Sequence, residues 1–133
     1  MNSEVKTKWI TALRSGEYEQ GTGALAINAV DDKVQYCCLG VLCDLAVKEG
    51  VLDAPVLHPN SGLFEYQVTG NMGQPMYEAA FLPQVVADWA GVTTYGEDPN
   101  QAQHEYRSPL DLPEKNDSGM KFDDIANLID EYM

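Results

Sequence analysis

Apolar positions recur along this chain with two periods, and each period predicts elements. The densest run lies in Tyr36–Gly50, which reads Y-C-C-L-G-V-L-C-D-L-A-V-K-E-G. From Leu39 to Val47 it is apolar almost all round a helical wheel. A helix apolar on nearly every side is buried on nearly every side. Segment 38–47 is therefore expected to be a central helix with the rest of the chain packed round it. Asp44 and Lys48, four apart with the acid first, share its narrow polar stripe. Gly40, near its start, costs about 1 kcal/mol against Ala, which predicts a neighbouring backbone or ring lying against it. Gly50 closes the helix.

A 3.6-residue period also predicts helices at both ends. In Glu4–Ser15, Val5, Trp9, Ala12 and Leu13 share one face flanked by Ile10, with Ser3 as the expected N-cap and Gly16 past the end. Trp9 stands in register with that face and is expected in the core. Leu82-Pro83 opens another helix, with Leu82, Val85, Val86 and Trp89 as its core face and Gly91 as its stop. The last helix, Phe122–Tyr132, sets Phe122, Ile125, Ala126 and Ile129 against Asp123, Asp124, Asn127, Asp130 and Glu131. Its two early acids suit the positive helix end, whereas its two late acids oppose the dipole and need another reason.

Period-2 alternation predicts strands at Ala24–Val30 and Lys33–Cys37, joined by Asp31-Asp32 as an acidic hairpin turn. A third strand is expected at Leu63–Val68. Tyr18, Gln20, Gly21 and Gly23 mark a turn or a close approach, without the spacing of a phosphate loop. Asn71–Phe81 reads as a long loop, Thr93–Pro113 as a polar surface loop, and Leu112–Gly119 as a turn built on Asn116-Asp117-Ser118-Gly119. The expected fold is a single α+β domain: a small antiparallel sheet of about three strands, with three or four helices round a buried central one.

Charge changes this picture more than composition does. Across 133 residues, 21 Asp and Glu face 8 Lys and Arg, a formal net charge of −13. Such an excess repels nucleic-acid phosphates and anionic membrane. It leaves two readings, solubility or a surface that attracts a basic partner, including one that normally holds nucleic acid. No apolar run nears the ~20 residues of a membrane span. Met1–Lys8 lacks the apolar middle of a signal peptide, so a cytoplasmic setting is expected.

Three cysteines, Cys37, Cys38 and Cys43, are an odd number in a chain with no secretory signal, which argues against a disulfide framework. With His58 and His104 distant in sequence, no metal or other cofactor is expected. Cys43 beside Asp44 could be drawn as a nucleophile, but burial raises a thiol's pKa and makes it inert. Chance pairs among 21 acids carry little catalytic meaning, and no G-x-S-x-G elbow is present. Binding is the stronger class, because tyrosine is abundant and enriched at contact surfaces. Tyr95, Tyr106 and Arg107 are the contact candidates in the polar loop, and Asp123, Asp124, Asp130 and Glu131 form a candidate anionic strip.

Four motifs in order, W-x2-A-L-x-S-G-x-Y-x-Q-G at 9–21, Y-C-C-L-G-V-L-C-D-L-A at 36–46, L-P-x2-V-x2-W-A-G at 82–91 and N-D-x-G-x2-F-x2-I-A-x2-I at 116–129, cover most of the chain. The sequence thereby resembles a family of small bacteriophage and prophage proteins. One departure is Lys115, where the family pattern has Leu before Asn-Asp. The resemblance implies phage origin and a host-cytoplasmic setting, and it brings no catalytic residues. The expected function is a non-enzymatic accessory protein that binds and inhibits a host protein through a basic surface, in a counter-defence role. The alternative is a protein sequestering a nucleotide-like ligand, for which only Arg14 and Arg107 could clamp phosphates bidentately. A small hydrolase ranks third.

Overall fold

The computed structural model describes residues 1–70, 72–92 and 112–133. The chain is α+β, as the hydrophobic pattern predicts. Its helices are α1 (Ser3–Arg14), α2 (Cys38–Lys48), α3 (Gln84–Ala90), α4 (Leu112–Asp117) and α5 (Phe122–Tyr132). Its strands are β1 (Glu19–Gln20), β2 (Ala26–Asn28), β3 (Val34–Tyr36), β4 (Val56–Leu57), β5 (Phe64–Thr69) and β6 (Pro75–Glu78). Among the described residues they form two three-stranded sheets, ordered β1-β3-β2 and β4-β5-β6. The first contains a parallel pair, β1 with β3, which local alternation cannot reveal.

α2 is the spine. Cys38 through Cys43 are all buried, as is Ala46. Gly40 is what lets α2 approach β2: a Cβ there would stand 1.8 Å from the carbonyl oxygen of Leu25. The Cys37 amide donates to that same carbonyl at 3.2 Å. The expectation of a backbone against Gly40 is met. Trp9 is fully buried, and its indole N–H donates to the Cys38 carbonyl at 2.9 Å. That carbonyl lies in the first turn of α2, so one side chain ties α1 to the helix start.

A buried polar residue joins the N-terminal and C-terminal thirds. Asn116 is fully buried on α4. Its Oδ1 accepts from the Cys38 amide at 3.1 Å and from Gln20 Nε2 at 3.0 Å, while its Nδ2 donates to the Gly21 carbonyl at 2.9 Å. Gln20 completes the network by donating to the Met120 carbonyl and accepting from the Phe122 amide, the first of α5. Every polar atom of the amide is thereby matched, which is what burial requires.

Several local expectations change. The α1 cap is Asn2, whose Oδ1 accepts from the Glu4 and Val5 amides at 3.0 and 3.3 Å, so Ser3 is already helical. Leu112–Asp117 is a short helix rather than a turn, because Leu112 is buried and Pro113 is tolerated in a first turn. Within the span expected as a loop, 71–81, Pro75–Glu78 is a strand paired antiparallel with β5. Val85 is 45% exposed, so α3 faces the core through Val86, Ala87 and Ala90 instead. The hairpin turn is longer than expected: the strands shrink to Ala26–Asn28 and Val34–Tyr36, the Ala29 amide donates to the Lys33 carbonyl at 2.7 Å, and Val30–Asp32 closes the loop as a 3-10 turn with Asp31 and Asp32 at positive φ, 62° and 57°.

Two substitutions test this frame in chemical denaturation. Gly40→Ala forces a methyl into a carbonyl that cannot move without unpairing β2, and should cost at least about 3 kcal/mol, the upper range for overpacking. Asn116→Asp keeps the shape but replaces the donor to Gly21 with an oxygen. It should cost about 3 kcal/mol or more at neutral pH and recover in part in mild acid, as the carboxyl regains a proton.

Candidate functional site

α5 positions the candidate anionic strip. Phe122, Ile125, Ala126 and Ile129 are buried, which turns Asp123, Asp124, Asn127, Asp130 and Glu131 to solvent. Asp123 and Asp124 lie in the first turn, where the helix dipole favours them. The late acids have their missing reason in α1: Lys6 Nζ donates to the Asp130 backbone carbonyl at 3.0 Å. A cation from another helix thus satisfies the negative helix end, leaving the Asp130 and Glu131 carboxylates outward. Among the described residues none of the four strip carboxylates is in a salt bridge.

Of the sequence-predicted site residues, the fold brings Asp123, Asp124, Asp130 and Glu131 onto one exposed face. Tyr95, Tyr106 and Arg107 lie outside the described residues, as does His104. Arg14, the other candidate phosphate clamp, donates to Asn127 Oδ1 at 2.7 Å at the border of the acidic strip. A guanidinium placed there is a poor start for a phosphate pocket.

A second polar cluster forms on the stripe of α2. Tyr18 donates its hydroxyl to the Asp44 carboxylate and accepts from Lys48 Nζ at 3.0 Å, and Lys48 pairs with Asp44 at 3.3 Å. The Tyr18 and Tyr36 rings meet edge to face, centroids 5.1 Å apart. Burial, then the Asp44 carboxylate, raise the Tyr18 phenol; burial likewise raises Tyr36 and the fully buried Tyr66. The Lys48 ammonium is raised, first by its bond to Tyr18. This cluster anchors side chains to α2 rather than opening a cavity. Tyr77 and Tyr132 are exposed; Tyr77 is among the tyrosines behind the binding reading, whereas Tyr132 carries no sequence signal as a contact residue. Tyr77 lies inside the stretch read as a loop.

The thiols are sealed. Cys37, Cys38 and Cys43 are free and buried. Burial pushes Cys37 up to about 11 from its ordinary value near 9, against partial relief from the Gly40 amide, and drives Cys38 and Cys43 well upward. Cys37 serves as the N-cap of α2, its sulfur accepting from the Gly40 amide at 3.4 Å. His58 sits apart, bonded to Ser61 in the β4–β5 connection. Among the described residues no three His, Cys, Asp or Glu side chains converge.

Fold and site together describe a small acidic α+β domain with an inert, buried helical spine and carboxylates turned outward. The family model "Domain of unknown function (DUF8296)" matches residues 1–133, and the chain belongs to that family. No curated protein and no solved structure matches it. No helix among the described residues is long and apolar enough to cross a membrane.

Two titration outcomes follow from the buried thiols. A thiol-specific chromogenic disulfide at pH 8 should count none of the three cysteines in native protein and all three after denaturation. The fold also holds the Cys37 proton more tightly than the unfolded chain. Its contribution is intact below pH 9 and declines as pH rises from 9 through about 11. That loss is about 3 kcal/mol for this one group. Melting temperature should fall over that alkaline window, not on the acid side of it.

Proposed function

We propose that this is a non-enzymatic phage accessory protein that acts in the host cytoplasm, where it binds and inhibits a host protein with a basic, nucleic-acid-handling surface, in a counter-defence role. The observation that carries the reading is the α5 face, where four carboxylates share one exposed side with no salt bridge among the described residues. Asp123 to Glu131 spans about 12 Å of helix axis at about 1.5 Å per residue. A row of anionic groups on that scale imitates a short stretch of phosphate backbone, where charges follow every ~3.4 Å along one strand. The sequence resemblance to phage proteins supports the setting. Charges of this kind govern encounter rate and salt dependence more than final affinity.

Immobilised protein challenged with host lysate should retain a basic protein at low salt and release it at high salt. Replacing the strip by Asp123→Asn, Asp124→Asn, Asp130→Asn and Glu131→Gln should slow association with that protein about tenfold or more, the lower end of electrostatic steering. Retention of no protein at either salt, or an association rate indifferent to the fourfold replacement, would refute the reading.

A further inference from the structure

An acidic strip attracts but does not anchor; affinity comes from apolar side chains buried at the centre of a contact. Those side chains are concentrated elsewhere. Of the nine large apolar residues exposed among the described residues, seven fall between Val56 and Val85. The same part of the chain is distinctive in charge. Residues 51–92 carry four carboxylates, Asp53, Glu65, Glu78 and Asp88, and no Lys or Arg.

The apolar residues have a defined placement. Met76 stands directly opposite Val68 in the β5–β6 register, and Val68 and Val85 line one groove of ≈ 280 Å³ with Val51, Leu52 and Asp53. Met72 lies beyond it at the hairpin tip, 91% exposed. The tip is tied down: Gln74 Oε1 accepts from the Met72 amide at 2.8 Å, and the Gly70 amide donates to the Gln74 carbonyl at 2.7 Å. Exposed methionines beside a valine-lined groove make an adaptable apolar surface.

Resting on the basic-partner reading, we infer that the β5–β6 hairpin and the groove beside α3 are the anchoring surface, and that they receive a protein helix with an apolar face flanked by Lys and Arg. Three observations choose this occupant. A segment that bears carboxylates and no Lys or Arg of its own complements a basic rim. A second copy would bring the same carboxylates and no cations, so self-pairing sets like charges together. Strand addition at the β6 edge is restricted: Pro75 has no N–H, the Ala79 amide is held by Glu78 Oε2 and the Ala79 carbonyl by the Leu25 amide, so that Tyr77 alone presents a full backbone pair to a new strand. Recognition is left chiefly to side chains.

The five methionines, Met1, Met72, Met76, Met120 and Met133, make the test direct, because methyl-labelled methionine yields one NMR signal for each. The probe is an amphipathic Leu/Lys helical peptide, with a Leu/Glu peptide of the same pattern as control. Saturable shifts are expected at Met72 and Met76, not at Met1, Met120 or Met133, and none with the Leu/Glu peptide. Met76→Lys should weaken the Leu/Lys peptide at least tenfold while leaving the melting temperature unchanged. Shifts confined to Met120 and Met133, which flank α5, would overturn the inference and leave the basic-partner reading standing on α5. Equal response to the Leu/Glu peptide, a dimer that broadens Met72 and Met76 without peptide, or no shift at all would also overturn it. Salt-dependent capture from lysate judges the basic-partner reading separately.

Discussion

The contact between Gly40 and the Leu25 carbonyl sets the distance at which this molecule is built. With no side chain at position 40, the first turn of α2 lies directly on the backbone of the residue before β2. That approach brings the Cys37 amide onto the same carbonyl and places the Cys38 carbonyl under the Trp9 indole. A larger residue would open the gap between helix and sheet, and the buried side chains on either side would lose close contact together. The glycine's helix penalty, about 1 kcal/mol, is the smaller quantity.

Asn116 and Gln20 then fix the ends of the chain to this centre. A buried amide in low dielectric is costly unless every atom is matched, and strongly orienting when it is. Asn116 meets that condition with partners from the Gln20–Gly21 segment and from α2, and Gln20 extends the network to α5. Residues that carry the phage-protein resemblance recur here: Trp9, Tyr18, Gln20, Gly21, Gly40 and Asn116 each sit at a packing or hydrogen-bond junction. The pattern is therefore a signature of the fold, and it is silent about chemistry because its side chains are occupied in holding the chain together.

This also explains what could be read from sequence. α1, α2 and α5 are long enough for the 3.6 period to repeat, and β5 long enough for alternation. β1 and β4 have two residues each, too few for any period. β6 begins with Pro75 and exposes Met76 and Tyr77, so its burial pattern is that of a loop, and only the partner strand makes it a strand. Val85 matches a core face by spacing, yet α3 has only seven residues and is turned by its neighbours. Asn116 looked like turn chemistry because its local context favours turns; its long-range partners have no local trace. Of the candidate site, the acidic face of α5 was legible as one half of an amphipathic helix. The apolar hairpin was not, because exposure is a tertiary property.

The charge excess gains meaning from where the cations go. Lys6 satisfies the end of α5, Lys8 pairs with Glu49, Arg14 holds Asn127, and Lys48 is bound to Asp44 and Tyr18. Four of the eight basic side chains are thus drawn into contacts within the fold, and many carboxylates remain at the surface. Such an arrangement costs stability through self-repulsion, and salt screens it over about 8–10 Å. A surface needed only for solubility would gain by interspersing the two signs. Here the exposed face of α5 carries four carboxylates, and residues 51–92 carry four more with no Lys or Arg between them. Neutralising either concentration of charge would relieve part of that repulsion.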